Sequence, residues 1–294
     1  MIFITGSTGY VGRHLIPELI KNKYKLRCLV RKTSNVGYLK KYKNIEIVYG
    51  DITDKNSLSK TLKDIKVVIH LAAVISSSNK KLLYKVNYEG CKNLLEACKK
   101  NKIKRIIVIS SMAAAKKHLD DYGKSKLMAD ELFLNSNLDF TILRPTLIYG
   151  KDSESLKRVT NFIRKIPLIT PIIGNGNYKI QPVHINDVIY SIIKCIDNKK
   201  SIGKIYEILG REDLTFSQFI DTLTEKMKMR KFKIYIPINL CLYVISTAKF
   251  LYPKFPINKS MILSINKSST GNINNAVKDL NYNPVSFKEG LNDI

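Results

Sequence analysis

Met1-Ile-Phe-Ile-Thr5-Gly6-Ser-Thr8-Gly9-Tyr10-Val11-Gly12 opens the chain, and the fold is decided there. A short apolar run leads into three glycines spaced three apart, and an amphipathic pattern follows from Tyr10 to Lys21. Strand, bare turn and helix in that order make a cradle for a pyrophosphate, because the unpaired N–H groups of the helix start point at the anion. The spacing is G-x-x-G-x-x-G and departs from the G-x-G-x-x-G of the usual dinucleotide fingerprint. A glycine-rich surface turn is the plainer reading, and it ranks lower because the turn is held between an apolar and an amphipathic segment. Further along, strands are predicted at 2–4, 25–30, 45–48, 67–70, 105–109 and 140–143, with helices between. That alternation is the pattern of an α/β protein with a doubly wound parallel sheet. Positions 82–101 read as one helix with Leu83, Val86, Leu94, Leu95 and Ala97 near its buried side.

Far downstream stands Tyr122-Gly-Lys-Ser-Lys126. Residues four apart on a helix share a face, and an ammonium that close favours a phenolate. Tyr122 is thereby suited to trade a proton with a substrate hydroxyl. A Tyr-x-x-x-Lys pair by itself is common and usually marks a solvated helix face. Its weight comes from Ser110-Ser111, which end the apolar run 105–109 and deliver a hydroxyl to the carboxyl edge of a parallel sheet, where such folds keep their chemistry. Cradle and dyad together imply oxidoreductase-type chemistry on a dinucleotide.

On these residues the chain resembles the extended or atypical branch of the short-chain dehydrogenase/reductase superfamily, the NAD-dependent epimerase/dehydratase-like proteins, over nearly its whole length. Gly6, Gly9 and Gly12 match the nucleotide loop; Gly50-Asp51-Ile52-Thr-Asp54 matches the segment whose acid contacts adenine; His70-Leu71-Ala72-Ala73 matches the strand end lining the cofactor. Val86-Asn87-Tyr-Glu-Gly90 matches the family's helix Asn, and Ser110-Ser111, Tyr122 and Lys126 match its catalytic set. Arg144-Pro145-Thr-Leu-Ile-Tyr149-Gly150 and Gln181-Pro-Val-His184-Ile-Asn-Asp187-Val188 resemble the segments that open the substrate lobe and return the chain to the sheet.

The resemblance implies a Rossmann-type sheet with a smaller C-terminal substrate lobe: residues 1–149 bind NAD(P), 183–210 return to that domain, and 150–182 with 211–294 form the lobe that closes over the cofactor. It implies that Tyr122 handles the proton of the reacting oxygen and that Lys126 holds the cofactor ribose. Ser111 would hydrogen-bond the reacting carbonyl, and Asn87 would order a proton-relay water. Cofactor contacts fall to Gly6, Thr8, Gly9, Tyr10, Val11, Gly12, Arg31, Lys32, Asp51, Ile52, Leu71, Ala72, Ala73, Tyr122, Lys126 and Pro145. The interval from Ser111 to Tyr122 is shorter than in most sugar-nucleotide epimerases, and Met112-Ala-Ala-Ala115 stands where those often carry Tyr-Gly. The two lobe segments favour a nucleoside-diphosphate sugar, by 4-keto reduction or 4-epimerisation. Two other classes compete: a non-catalytic dinucleotide-binding subunit or assembly factor resembling the accessory subunit of respiratory complex I, and an NADP-sensing regulator. Both tend to lack the Tyr-x-x-x-Lys pair, which is intact here.

The balance of charge at the second strand bears on the cofactor. Arg31-Lys32 follow that strand, where an enzyme specific for NAD offers a carboxylate to the ribose 2′-OH, and no acid comes until Glu46. A guanidinium grips a 2′-phosphate bidentately and Lys32 adds a point charge. NADP(H) is therefore favoured, with NAD(H) the alternative.

At 294 residues the chain can bury a sizeable core and has room for one large domain or a domain with a lobe. It opens directly on a strand without a basic n-region, an apolar h-region or a cleavage site, so no secretion signal is inferred. Cys28, Cys91, Cys98, Cys195 and Cys241 are scattered, odd in number and without a C-x-x-C, which argues for reduced thiols rather than disulfides or zinc. A cytoplasmic protein fits these observations. Lys and Arg number 50 against 24 Asp and Glu, a net charge of +26, which attracts nucleic acid, anionic lipid and phosphorylated substrates. The lysines are spread along the chain with no basic tail and no nucleic-acid motif, so the charge reads mostly as solvated surface and no specific nucleic-acid partner is inferred. The expected partner is a small-molecule substrate, with a homodimer as the oligomer left open.

After Gly150, Pro167, Pro171, Gly174 and Gly176 mark a loop-rich stretch, and 185–196 and 204–209 read as a helix and a strand rejoining the sheet. The apolar stretch 234–253 is interrupted by Pro237, Asn239 and Lys249. It reads as a buried or interfacial helix rather than a span, with a face that suits peripheral docking on an anionic membrane. His184 reads as structural and Asp187 as a helix cap, so neither joins the catalytic set.

Overall fold

Seven parallel strands form the main sheet of the computed structural model, which describes residues 1–75, 79–117, 119–251 and 268–293, without the side chains of 248–251. The strands are β1 (Ile2–Thr5), β2 (Leu26–Val30), β3 (Ile45–Tyr49), β4 (Val67–His70), β5 (Arg105–Ile109), β6 (Asp139–Pro145) and β7 (Lys204–Ile208). Their order is β3-β2-β1-β4-β5-β6-β7, and every pairing is parallel. The doubly wound α/β expectation holds. Strands covered on both faces read as continuous apolar runs rather than alternating ones, and Ile2–Thr5 is buried at all four positions. Strand order reverses between β1 and β4, so the crevice beyond their carboxyl ends is where this class of sheet holds ligands. Thr5 lies opposite both Leu29 and His70 in register there.

One face of the sheet buries Phe3, Val68, Ile106, Val108 and Ile142 against Cys91, Leu94, Cys98 and Phe133. Truncating Phe133 to Ala would cost about 3–5 kcal/mol. The single helix expected at 82–101 is divided into a helix Lys80–Tyr84, a π-turn Lys85–Glu89 and a helix Gly90–Lys100. The wider turn brings Asn87 inside, where it is 1% exposed.

The chain falls into two compact units, Met1–Pro145 with Ile185–Ile208 and Asn272–Asn283, and Thr146–His184 with Leu209–Gly271 and Pro284–Ile294. Asn272–Asn283 thus sits with the sheet although 211–294 reads as lobe. Asp279 explains the placement, since it accepts hydrogen bonds from Lys204 at 2.6 Å and Tyr206 at 2.9 Å on β7.

In the second unit Tyr149, Phe219 and Phe287 make an aromatic core. The stretch expected to be loop-rich carries a helix Glu154–Lys165, started by Ser153 accepting from the Leu156 N–H, and a strand Ile169–Ile173. That strand pairs in parallel with Phe232–Ile236. Positions 234–253 are therefore split between a strand and a helix Ile238–Leu251, and 252–253 lie outside the described residues. Among the described residues no helix is long and apolar enough to cross a membrane. His184 is buried with its ring edge-on to Tyr149, and Asp187 lies in the first turn of Ile185–Ile196 rather than at its cap.

Candidate active site

The glycine turn after β1 is fixed by close approach. Gly6 has φ +72°, and a Cβ on it would stand 2.6 Å from the Ala72 nitrogen. A Cβ on Gly12 would stand 2.5 Å from both the Gly6 and Ser7 carbonyl oxygens. Gly9 precedes α1 (Tyr10–Lys21) and brings no side-chain cap, so the N–H groups of the first turn keep their capacity for an anion. The turn is held from outside as well. The Tyr38 hydroxyl donates to the Ser7 carbonyl, and Arg13 donates to the Thr8 carbonyl at 3.1 Å.

A cavity of about 260 Å³ opens beside this turn, lined by Gly6, Thr8, Gly9, Arg31, Asp51, Ile52, Leu71, Ala72 and Ala73 among the expected residues. Thr5, Leu29, Val30, Ser34, Gly50, Val74, Leu82 and Val86 complete its wall, none of them among the expected cofactor contacts. Tyr10, Val11, Gly12, Lys32, Tyr122, Lys126 and Pro145 do not border it. Gly12 supports the turn from behind, and the Tyr10 ring packs edge-on against His14. Asp51 turns one carboxylate oxygen to the Thr53 N–H and hydroxyl, both at 2.9 Å.

The wall formed by 71–74 is tied down at two points. The Ala72 N–H reaches the Thr5 hydroxyl at 3.3 Å, and the Asn87 side chain accepts from the Val74 N–H at 2.8 Å and donates to its carbonyl at 2.9 Å. The second Asn87 N–H goes to the Ser125 hydroxyl at 3.0 Å, which in turn donates to the Tyr122 carbonyl at 2.8 Å. Both amide protons of Asn87 are therefore spent on protein, and this one side chain links the wall formed by 71–74 to the turn that carries Tyr122. Behind the wall, His70 lies between the Thr5 hydroxyl at 2.7 Å and the Cys91 sulfur at 3.2 Å. Burial, helped by the Lys126 charge, holds His70 down to about 3, so the ring is neutral. Burial pushes the Cys91 thiol up to about 12, which leaves it unreactive.

The helix α2 (Asp121–Leu134) is started by Asp120, whose carboxylate accepts from the Gly123 N–H at 2.7 Å. It carries Tyr122, partly buried, and Lys126, only 1% exposed. Lys126 Nζ donates to the Ile109 carbonyl at the end of β5, at 2.9 Å, which leaves two of its N–H donors for a ligand. Ser111 accepts from the Ala113 N–H at 3.1 Å, so its own proton is left to donate. One turn beyond Lys126, the Asp130 carboxylate takes Nε and Nη2 of Arg144, both at 2.9 Å. Burial pushes Asp130 up, while Lys126, the Ser110 hydroxyl and Arg144 pull it down. The pairing of Asp130 with Arg144 was not read from the sequence, although a carboxylate four residues after Lys126 on one helix is a readable signal.

Residues 2–208 match the family model described as the NAD dependent epimerase/dehydratase family. The chain belongs to that family. It is a member of the extended short-chain dehydrogenase/reductase superfamily, and NAD(P) binding is typical of the NAD dependent epimerase/dehydratase family. UDP-glucose 4-epimerase of Vibrio cholerae is 28% identical over 267 residues, covering 81% of this chain and 79% of that protein. The mitochondrial NADH dehydrogenase (ubiquinone) 1 alpha subcomplex subunit 9 of Dictyostelium discoideum is 24% identical over 240 residues, covering 80% of this chain. The match spans 66% of that subunit, just under two thirds of its length. Among solved structures, UDP-glucuronic acid 4-epimerase from Bacillus cereus in complex with NAD superposes with a TM-score of 0.76 at 25% identity, covering 99% of this chain and 94% of that one.

Proposed function

We propose that the chain is an NAD(P)-dependent oxidoreductase or epimerase that acts on a nucleoside-diphosphate sugar by hydride transfer. The observation that carries this reading is the intact dyad: a buried Lys126 ammonium with donors to spare, one turn from Tyr122, at the carboxyl edge of the sheet. The cradle fits a dinucleotide, because the positions where Gly6 and Gly12 stand have no room for a Cβ and the first turn of α1 presents uncapped N–H groups. Gly6, Thr8 and Gly9 would hold the pyrophosphate, Asp51 and Ile52 the adenine end, and Lys126 a ribose hydroxyl. When bound, the dinucleotide supplies the hydride donor or acceptor. Tyr122 gives or takes the proton of the reacting oxygen, and the Ser111 hydroxyl donates to that oxygen. In the second unit, exposed Lys151 and Arg158 are suited to offset a diphosphate, whereas Lys179 is engaged by Asp213 at 2.7 Å.

The sugar assignment is supported by the UDP-sugar epimerases among the relatives. It is tested by following cofactor oxidation with UDP- and dTDP-linked 4-keto sugars against CoA thioesters, flavonoid-type ketones and steroids. Turnover is expected with the nucleotide sugars, and turnover confined to a non-nucleotide ketone overturns the sugar and leaves the reductase. A structural cofactor is the second reading, favoured by the respiratory-chain subunit among the relatives.

The same reading assigns NADPH over NADH. Arg31 lines the cavity and no acid stands beside it on β2. A hydrogen bond to a charged group is worth about 1.5–3 kcal/mol, so Arg31→Asp should shift the ratio of NADPH to NADH dissociation constants by roughly tenfold to a hundredfold. Equal affinities in the wild type, or an unchanged ratio in the variant, would reduce Arg31 to surface charge.

A further inference from the structure

We infer that the second unit carries a docking tip for the surface of an anionic bilayer, built from the turn after helix Glu154–Lys165 and the edge of strand Phe232–Ile236. The Phe232 N–H donates to the Leu168 carbonyl at 2.8 Å, which sets these two residues side by side. Leu168 is 71% exposed and Phe232 is 76% exposed, and Ile234 continues the same strand face two residues on. Leu168 also has φ +59°. A left-handed conformation costs an ordinary side chain about 1–2 kcal/mol, and an exposed Leu recovers nothing from packing. Gly or Asn would sit there at lower cost, and the exposed aliphatic side chain is open to a partner outside the chain.

What receives it is indicated by charge. Arg164 and Lys165 end the helix just before Leu168, and Lys228, Arg230 and Lys231 run into Phe232. Lys231 Nζ donates to the Ile166 carbonyl, which brings that cation to the turn itself. Arg164, Lys165, Lys228 and Arg230 have no acidic partner among the described residues. No Asp or Glu occurs between Glu154 and Asp187, nor from Lys226 to Ile236. Two exposed apolar side chains with unpaired cations close in sequence match a bilayer surface, where they enter the boundary of headgroups and acyl chains at the depth at which Lys and Arg meet lipid phosphates; of the cations beside Phe232, Lys233 is paired, with Asp221 at 2.6 Å. Each such cation contributes about 1 kcal/mol near an anionic leaflet.

The chain has no Trp, so Phe232→Trp gives a single reporter at the tip. With phosphatidylcholine vesicles containing phosphatidylserine, its emission should shift to the blue and be quenched by brominated acyl chains, and the protein should sediment with the vesicles. With phosphatidylcholine alone neither should happen. Arg164→Glu/Lys165→Glu should weaken sedimentation by at least about tenfold, and Leu168→Gly should weaken it while relieving the backbone. Lys40→Glu/Lys41→Glu, exposed in the first unit, changes the total charge equally and should have a much smaller effect. Circular dichroism and dinucleotide binding confirm that each variant is folded. The inference is overturned if the Lys40/Lys41 variant loses as much binding, which makes the effect one of total charge. It is equally overturned if the protein sediments with unmoved Trp emission, or if soluble polyglutamate binds the tip as tightly as the vesicles do.

Discussion

Tyr122→Phe is expected to bind dinucleotide as tightly as the wild type and to lose turnover by roughly a hundred- to ten-thousand-fold, the usual worth of a general acid or base. The substitution removes one oxygen and keeps the ring, and the bonds that place this turn run through backbone and neighbours: Asn87 to Ser125, and Ser125 to the Tyr122 carbonyl. Nothing in that network uses the phenol hydroxyl. Binding and chemistry should therefore separate. Lys126→Met should not separate them, because the same buried side chain would hold a ribose and stand one turn from Tyr122 at the reacting oxygen. Near wild-type turnover in Tyr122→Phe would mean that the proton moves by another route. A matching loss of affinity would mean that the hydroxyl binds cofactor instead of serving chemistry.

The second large effect is expected at Gly12, which the cavity does not touch. Ala fits the helical backbone there, yet its Cβ would meet the Gly6 and Ser7 carbonyl oxygens at 2.5 Å. Both are backbone atoms of the cradle, so relief requires the turn and α1 to move apart. Overpacking of this kind costs about 1–3 kcal/mol of stability, and displaced N–H groups no longer converge on a pyrophosphate. Gly12→Ala should lower dinucleotide affinity by on the order of a hundredfold, equivalent to about 2.7 kcal/mol. Isothermal titration with denaturant melts of the same preparation would separate the two losses. Unchanged affinity would show that the cradle does not hold the phosphates.

The six N-terminal strands were legible as short, mostly apolar runs bounded by polar turns; Ile2–Thr5 and Val67–His70, buried at every position, are uninterrupted, whereas the edge strand Ile45–Tyr49 carries Glu46 and has no buried position. The placing of Tyr122 and Lys126 one turn apart on a helix was legible from their spacing. What stayed hidden depends on pairing across long separations. Strand Phe232–Ile236 pairs with Ile169–Ile173, and Pro171 in the latter argued for a loop, since Pro is tolerated only at edges of small sheets like this one. Helix Glu154–Lys165 carried a readable start in Ser153-Glu154, but the Pro and Gly residues that follow it drew the stretch toward irregular structure. Asn87 illustrates a different gap. Its presence near the site was readable from the motif, whereas its use of both amide protons on Val74 and Ser125 depends on a π-turn that periodicity does not announce. Asp130 and Arg144 meet across 14 positions of chain, and removing either partner of so buried a pair should cost about 3–5 kcal/mol.

Hydride chemistry by this dyad on a nucleoside-diphosphate sugar is a claim that one spectroscopic measurement can read. Protein loaded with NAD⁺ or NADP⁺ is mixed with UDP-glucose, UDP-glucuronate and their dTDP-linked counterparts, and the absorbance of reduced nicotinamide is followed in the wild type and in Tyr122→Phe. A rise with at least one of these sugars in the wild type, absent in Tyr122→Phe, is the predicted result. A wild type that holds the dinucleotide and produces no reduced nicotinamide with any of them contradicts the claim and leaves a cofactor that is structural.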